Sequence, residues 1–327
     1  MSAEIQKKVI ADIELQVRRT KLTVSKVLSL YDISRSPFYG WTGGKPTVTP
    51  VRRNLLRVLA DEEQAVIDFR KHHRDVGYRK LTWLMNDAEV AALSESAVYG
   101  VLKKHNLLGP AQPPGAPAAS EYQHKPARVH EHWHCDIAYI KVRGVFYFLV
   151  IMLDGFSRYI LDWELMPDML GSSVEDFVQQ VCEKYPDFTP KLISDNGSQF
   201  ISRDFKMLLS RLDIQQVLTR RNHPQTNGKI ERLNGTIKRE AIRVHYPQSF
   251  EEARQVISDY VLYYNQRRLH AGIKFLRPAD LFHGQAETVL QQRQQRLERA
   301  RHFRYEENKF NNRRKTTNKS EAQFVRI

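Results

Sequence analysis

Cysteine is scarce in this sequence: among 327 residues there are only two, Cys135 and Cys182. Two thiols cannot build a disulfide framework, and no Cys-x-x-Cys pair is present to supply half of a zinc site. The twelve histidines therefore have no cysteine partners at the spacing that zinc domains use. We expect neither a disulfide-stabilised domain nor a zinc domain.

Long apolar runs are also missing. No stretch approaches the roughly 20 apolar residues that a membrane-spanning helix needs, and the N-terminal segment lacks the apolar part of a signal peptide. Apolar residues make up 41% and charged residues 27% of the chain, which is ordinary for a globular protein. The sequence predicts a cytoplasmic protein of two or three domains with no membrane partner.

Positive charge is in excess, and its position along the chain is informative. The net charge is +14, of which +7 falls on residues 1–130, +1 on residues 131–285 and +6 on residues 286–327. Basic flanks around a nearly neutral middle suit a polyanion such as DNA, whose binding weakens steeply as salt rises. A merely solubilising surface charge is the alternative interpretation.

Residues 1–45 read as helices separated by two breaks. An amphipathic segment covers 24–31, a tight turn follows at 32–34, and Ser36-Pro37 has the hydroxyl cap and first-turn proline of a helix start. Helix, turn and helix in this order predict a DNA-binding helix-turn-helix, with Arg35, Ser36 and Tyr39 facing DNA. A plain helical hairpin is the alternative.

Residues 51–109 form a second helical module after a linker at 43–50. The linker contains Gly-Gly-Lys, but the spacing of a phosphate loop fails. One long helix is expected over 52–73, and two shorter helices are expected over 79–89 and 94–108, with Ser94 as the N-cap of the last. The two shorter helices again suggest a helix-turn-helix.

Residues 110–130 are rich in Pro, Gly and Ala and form the clearest linker of the chain. Beyond it, segments rich in β-branched and aromatic residues predict five strands, at 132–142, 145–154, 157–165, 191–195 and 214–220. Helices are expected at 172–184, 204–212, 227–244 and 249–267. Three antiparallel strands followed by alternating helices and strands predict an α/β domain over 131–285 with a mixed five-stranded sheet.

Residues 286–327 form a Gln- and Arg-rich tail. The tail is expected to begin as a helix and to end disordered, and its apolar residues are too few for a coiled coil. We interpret it as a basic arm for DNA or for partner subunits, with a solvated tail as the alternative.

Three carboxylates stand out in the α/β region. Asp136 lies inside an apolar strand, where an unpaired charge costs several kcal/mol. Asp195 ends a buried strand, where ligands of α/β sheets gather, and Glu231 lies on a helix face that also holds Asn234 and Lys238. Each has a purely structural explanation when taken alone. Asp136 could make a local hydrogen bond or ion pair, Asp195 could serve the turn of Asp-Asn-Gly, and Glu231 could lie on a solvated helix face.

Taken together, the three carboxylates have the layout of a two-metal nuclease centre. Mg²⁺ prefers oxygen ligands, and two such ions can activate an attacking oxygen and stabilise a leaving one. Carboxylates repel one another at close range, so that clustering three of them makes sense around cations.

Here the sequence resembles a known family. The 35 residues between Asp195 and Glu231 are similar to the Asp-Asp-(35)-Glu signature of retroviral integrases and bacterial insertion-sequence transposases. The matching segments are WHCDIAYI around Asp136, ISDNGSQF around Asp195 and HPQTNGKIERLNGTIKRE around Glu231. Lys238, seven residues after the Glu, matches the family's basic residue. Residues 264–282 resemble the end of the catalytic core, and residues 78–109 resemble the helical module of insertion sequence family three.

The resemblance covers residues 76–283 and implies an RNase H-like fold for 131–285, preceded by all-α helix-turn-helix modules. It implies that Asp136, Asp195 and Glu231 are catalytic and hold two Mg²⁺ ions, for which Mn²⁺ can substitute. The residues that it offers for contacts to phosphates or bases are Gln199, His223, Asn227, Arg232 and Lys238, for about half of which local capping and loop structure is the alternative.

The implied activity is DNA cleavage at transposon ends followed by transfer of the freed 3′-hydroxyl to another strand. Its partners would be double-stranded DNA, both terminal inverted repeats and target, and further copies of the chain in a dimer or higher assembly. The location would be the bacterial cytoplasm, at the nucleoid. Lack of a zinc domain favours a bacterial transposase over a viral integrase. Two rivals remain: a catalytically silent DNA-binding regulator, and an RNase H-like nuclease without strand transfer.

Overall fold

A computed structural model describes residues 3–43, 55–109, 125–219 and 228–324, with side chains as far as residue 312. The chain forms two compact units, one made of Met1–Leu59 and Arg301–Ile327 and the other of Ala60–Ala300. The second unit holds the segments of the predicted second helical module, of the α/β domain and of the beginning of the tail.

The first unit begins with three helices: α1 (Ala3–Thr20), α2 (Val24–Leu30) and α3 (Arg35–Trp41). Ile13, Val17, Val27, Leu28 and Phe38 form their small core. Helix α3 begins two residues earlier than expected, because Ser34 and not Ser36 is its N-cap. Proline is tolerated at the third helical position, since the first N–H groups of a helix have no partner within it.

Three further helices open the second unit: α4 (Ala60–His72), α5 (Tyr78–Asp87) and α6 (Glu95–Lys104). The expected N-cap of α6 is confirmed, since Ser94 Oγ accepts the Ala97 N–H at 3.2 Å. The expected start of the first helix at residue 52 is wrong, because α4 begins at Ala60. Residues 44–54, which contain most of the expected linker, lie outside the described residues.

A mixed five-stranded sheet forms the centre of the second unit. The strands are β1 (His132–Val142), β2 (Val145–Asp154), β3 (Ile160–Met166), β4 (Lys191–Ser194) and β5 (Gln215–Leu218). Their order is β3-β2-β1-β4-β5, with β1, β2 and β3 antiparallel and β4 parallel to both β1 and β5. The predicted mixed sheet is therefore confirmed.

Two tight turns fix the antiparallel part of this sheet. Arg143 and Gly144 both have positive φ, 46° and 90°, which is the conformation of a two-residue hairpin whose twist matches the strands. At the next turn the buried carboxylate of Asp154 accepts the backbone N–H groups of His130 and Ser157 at 2.8 and 2.7 Å. This turn holds residues 157–159, so that β3 begins at Ile160 and not at 157 as expected.

Helices cover both faces of the sheet. One face is covered by α7 (Gly171–Lys184), α8 (Ser198–Ile201) and α9 (Arg203–Arg211), which bury Trp133, Cys135 and Val150. The other face is covered by α10 (Gly228–Ile237), α11 (Arg243–His245) and α12 (Phe250–Gln266), with Ile230, Leu233 and Ile237 against Ala138 and Ile140. A single π-helical turn, Lys238–Ile242, lies between α10 and α11.

The chain continues through α13 (Pro278–Phe282) into one long helix, α14 (Ala286–Phe324). The expectation that the tail ends disordered is wrong as far as Phe324. Gln, Arg and Glu favour helices, and side chains four residues apart pair along the exposed surface, as Gln294 and Glu298 do at 2.7 Å. Within the described ranges, no helix combines the length and apolar character that a membrane crossing requires.

Candidate active site

Asp136 lies on β1, on the face that α10 covers. Side chains alternate along a strand, so that His134, Asp136 and Ala138 share one face while Trp133 and Cys135 occupy the other. The side-chain amide of Asn234 on α10 donates a hydrogen bond to Asp136 Oδ2 at 2.7 Å. The helix face that holds Asn234 and Glu231 therefore contacts the carboxylate of β1 directly.

Asp195 follows the end of the strand beside Asp136. In the parallel pair of β1 and β4, His134 is opposite Ile193; Asp136 comes two residues later on β1, and Asp195 comes two residues later along the chain, directly after β4 ends at Ser194. Adjacent strands are about 4.8 Å apart, so this register brings the two carboxylates to one edge of the sheet. The Gly197 N–H donates to Asp195 Oδ1 at 2.9 Å and fixes the orientation of that carboxylate.

Glu231 lies in the first turn of α10 and is exposed. Its neighbour Ile230 is fully buried against the sheet, which fixes the rotation of the helix. Asn234, one turn further along, bonds to Asp136. The helix therefore places Glu231 on the side of the sheet that carries Asp136.

The charges of the three carboxylates act on one another. Burial, and after it the negative charges of Asp195 and Glu231, raise the pKa of Asp136 from 3.8 to about 7 against the opposing hydrogen bonds. A cation placed among the three would reverse this repulsion, because opposite charges favour the ionised form. In the described part of the chain, however, no three His, Cys, Asp or Glu side chains are arranged to hold a metal ion. The donor chemistry suits a divalent cation, whereas the side chains do not form a ready cage.

The loop after Asp195 leaves little space for a side chain at Gly197. A Cβ on Gly197 would lie 2.7 Å from Gln199 Oε1 and 3.0 Å from Asp195 Oδ1, closer than carbon and oxygen can approach without a shift. Gln199 itself is 8% exposed. The buried amide and the carboxylate thus pack directly on the glycine backbone.

We expect Gly197→Ala to lower DNA-end cleavage by about 100-fold, the loss that a misplacement of about 1 Å can cause, with little change in thermal unfolding. Single-turnover rates on a DNA end would measure this loss. Gly235→Ala is the matched control, since nothing lies within 4 Å of a Cβ there. Equal rates for both variants would show that a Cβ at residue 197 does not displace the Asp195 carboxylate.

The other predicted DNA contacts are spread over the molecule. Arg232 is exposed on α10, and Lys238 is half-buried at the start of the π-helical turn. In the first unit, Arg35 and Ser36 are exposed on α3, whereas Tyr39 is half-buried against the core. The Arg35 guanidinium bonds to Ser25 Oγ. His223 and Asn227 lie outside the described residues.

Sequence reasoning missed three residues beside the carboxylates. Asn234 was placed on the correct helix face but was given no role. His134 is fully buried, and neither of its ring nitrogens has a hydrogen-bond partner among the described residues. Lys229, two residues before Glu231, donates to the Gly155 carbonyl at 3.3 Å and so ties α10 to the turn between β2 and β3. His134 could have been found from the sequence, because it lies two residues before Asp136 and therefore on the same face of the strand.

Two family models described as integrase core domain match the chain, one over residues 126–224 and the other over residues 212–278. The matched regions together contain Asp136, Asp195 and Glu231. Residues 126–278 are therefore similar to integrase core domains.

Several relatives are transposases of insertion sequences. The transposase for insertion sequence element IS904 of Lactococcus lactis is 33% identical over 152 residues, or 45% of this chain and 59% of that protein. The putative transposase InsK for insertion sequence element IS150 of Escherichia coli is 27% identical, over 50% of this chain and 59% of that protein. A putative transposase for insertion sequence element IS986/IS6110 of Mycobacterium tuberculosis is 26% identical, over 76% of this chain and 94% of that protein.

The match spans 59% of the length of each of the first two relatives. Among solved structures, the HTLV-2 integrase catalytic core domain in complex with magnesium is 17% identical, over 48% of this chain and 99% of that chain, with a TM-score of 0.39. The chain is therefore similar to integrase core domains over residues 126–278 and to transposases of insertion sequences over 45–76% of its length.

Proposed function

We propose that this chain cuts phosphodiester bonds at the ends of a mobile DNA element and joins the freed ends to target DNA. The observation that supports the proposal is that Asp136 lies on β1, that Asp195 directly follows the adjacent parallel strand β4, and that α10, which holds Glu231, is bonded to Asp136 through Asn234. The charges of Asp195 and Glu231 both act on Asp136.

Asp136, Asp195 and Glu231 are the proposed catalytic residues and would hold two Mg²⁺ ions, for which Mn²⁺ would substitute. When bound, the ions supply charge that neutralises the scissile phosphate and activates the attacking oxygen. Asn234 holds the Asp136 carboxylate in place, and the Gly197 N–H does the same for Asp195. Fixed ligands of this kind keep the donor oxygens aimed at the edge where DNA binds.

The first step is attack by water on a phosphodiester at the element's end, which breaks the P–O bond and leaves a 3′-hydroxyl. In the second step that hydroxyl attacks a phosphodiester of the target, forming a new P–O bond and releasing the target's own 3′-hydroxyl. No protein–DNA covalent intermediate is required. The alternative of a catalytically silent regulator has no need for three convergent carboxylates.

The DNA partners are the terminal inverted repeats of the element and its target. Residues 1–45 supply a helix-turn-helix with Arg35, Ser36 and Tyr39 towards DNA, and residues 51–109 supply a second module. The linker is 110–130, the catalytic core is 131–285, and the basic segment is 286–327. Gln199, Arg232 and Lys238, together with His223 and Asn227, contact DNA near the cut.

Two ends have to be brought together, so the working form is a dimer or a larger homo-oligomer, acting in the bacterial cytoplasm at the nucleoid. Within the transposases we place the chain in insertion sequence family three. Because the core is nearly neutral while the flanks are basic, affinity for DNA comes mainly from the flanks and falls as salt rises.

The test is nicking of DNA that carries the element's ends, with Mg²⁺, by the wild type and by Glu231→Gln. We expect the variant to nick about 100-fold more slowly, equivalent to about 2.7 kcal/mol, because the amide keeps the shape but removes the charge. Exposed Glu251→Gln is the control for a surface charge. Equal nicking by wild type and Glu231→Gln would show that the active site is elsewhere.

A further inference from the structure

Arg293 is a buried cation that the chemistry of the carboxylate site does not use. It lies on α14 and is 2% exposed, although arginine is almost never fully buried unless it is paired. Its Nε and Nη2 donate to the two oxygens of Asp87, at the end of α5, at 2.7 and 2.6 Å. This two-point contact is the strongest arrangement available to an Arg–carboxylate pair.

The same guanidinium also holds the loop that follows α12. Its Nη2 donates to the Phe275 carbonyl at 2.9 Å and its Nη1 to the Lys274 carbonyl at 3.4 Å. Lys274 and Phe275 both have positive φ, 58° and 56°, a conformation that costs energy for residues other than glycine. The two carbonyls that accept hydrogen bonds from Arg293 therefore belong to a strained turn of the core.

A third contact joins Arg293 to the packing between α5 and α6. The guanidinium lies over the ring of Trp83 at 5.1 Å from its centroid, within the range of a cation–π interaction. The indole N–H of Trp83 donates to Glu95 Oε1, on α6, at 2.9 Å. One side chain thus touches both the α5–α6 pair and the core.

The loop that Arg293 contacts is also bonded to the π-helical turn that follows the helix of Glu231. Arg268, at the beginning of this loop, donates to both oxygens of Glu240 at 2.9 and 2.8 Å. Glu240 lies in the π-helical turn that continues α10. On α5, Lys80 also lies beside this pair, since burial and the charge of Arg268 lower its pKa.

We propose that Arg293 is a positioning residue that fixes the α4–α6 module relative to the catalytic core, and thereby selects which phosphodiester near the DNA end is cut. This inference rests on the proposed function, because it requires the module to contact DNA. A rigid connection sets the distance between the DNA that the module holds and the carboxylates that act on it. A weaker connection would let that distance vary, while the α4–α6 module and the catalytic core would each remain folded.

The test is the position of nicks along a labelled DNA end, mapped for the wild type, Arg293→Met and Arg293→Lys. We expect Arg293→Met to cut the correct phosphodiester at least about 10-fold less and to spread its cuts over neighbouring positions, within the loss that misplacement can cause. Affinity for the DNA end should change less than about 2-fold, since the DNA-binding surfaces are intact. Arg293→Lys keeps the charge but not the two-point contact, and should fall between the two.

Arg296→Ala is the matched control. Arg296 is one turn along α14 and pairs with Glu89 at 2.8 Å, but the Glu89 side chain is 70% exposed. Exposed pairs contribute little, and so this variant should cut like the wild type. A nick distribution unchanged in Arg293→Met would overturn the inference, and so would a parallel loss of binding and cutting in both Arg293 variants. Failure of the wild type itself to nick would instead contradict the proposed function.

Discussion

Asp136→Asn is expected to abolish DNA-end cleavage and at the same time to stabilise the metal-free protein. The variant removes a charge that the proposed chemistry requires, so that nicking should fall by about 1,000-fold, equivalent to about 4 kcal/mol of lost stabilisation. The same charge is buried and repelled by Asp195 and Glu231, which is why the pKa of Asp136 is raised to about 7. An amide at this position keeps an oxygen that can accept the Asn234 hydrogen bond.

The gain in the free energy of unfolding of Asp136→Asn over the wild type should increase with pH. A carboxyl whose pKa rises from 3.8 to about 7 on folding destabilises the folded state as pH rises through that window, because ionisation is harder there than in the unfolded chain. Each pKa unit corresponds to about 1.4 kcal/mol. The advantage of Asp136→Asn should therefore be small near pH 4, grow up to about pH 7 and stay constant above it.

Thermal unfolding at a series of pH values, in a metal chelator, measures this effect beside the nicking assay. Asp187→Asn, on an exposed loop, is the control and should change neither property. A variant that loses stability at pH 8 would contradict the account of Asp136 as a repelled, desolvated charge. If Asp136→Asn still cuts DNA ends like the wild type, Asp136 is not part of the active site.

Arg268→Met is expected to lower the free energy of unfolding by about 3 kcal/mol, the lower end for breaking a buried ion pair. The substitution leaves Glu240 with the Tyr260 hydroxyl at 2.7 Å and no two-point partner. Arg268 is 16% and Glu240 31% exposed at the side chain, so water can relieve part of the cost. The double variant Arg268→Met with Glu240→Gln should recover part of the loss, because neither charge is then left alone.

The effect of Arg268→Met should disappear in acid. Burial alone would raise the pKa of Glu240, but hydrogen bonds from Arg268 and Tyr260 and the charge of Arg268 outweigh it and lower that pKa from 4.5 to about 2. A lowered carboxyl pKa contributes stability above about pH 4.5 that is lost as pH falls towards 2. The difference between wild type and variant should therefore be largest near neutrality and shrink over that interval.

Arg239→Ala is the control for this prediction. Arg239 also approaches Glu240, at 3.4 Å, but its side chain is 64% exposed, and so its removal should shift unfolding by no more than about 0.5 kcal/mol. Chemical denaturation at several pH values compares the variants directly. Similar losses for Arg239→Ala and Arg268→Met would show that the burial of Arg268 is not what makes the pair important.

The sheet could be predicted from sequence because its signals are local. Strands β1 and β2 have the predicted bounds, since β-branched and aromatic residues fill them and Arg143-Gly144 separates them. The spacing from Asp195 to Glu231 predicts that the two residues belong to one site. In the structure, the strand register and α10 place both on the same side of the sheet. That Asp136 faces the helix of Glu231 is seen only in the structure, through the Asn234 hydrogen bond.

Features that depend on distant contacts could not be predicted. Residues 55–57 look helical by composition, yet the side-chain amide of Asn308 donates to the carbonyls of Leu55 and Arg57 at 3.2 and 2.9 Å. A partner about 250 positions away thus competes with the helical bonds of this segment. The π-helical turn after Ile237 and the burial of Arg293 likewise follow from packing partners that no local pattern reveals.

The contact between Asp87 and Arg293 also has a consequence for the order in which the molecule is built. The two residues are 206 positions apart, and contacts of such long sequence separation close late, because a large loop has to be ordered first. During synthesis the strands of the sheet leave the ribosome before Arg293 is added. A nascent chain can therefore complete its sheet while the turn at Lys274 and Phe275 still lacks its partner. A refolding experiment should show the Asp87–Arg293 contact as a separate, later event, with protection of the segment around Asp87 against hydrogen exchange arriving after protection of the strands.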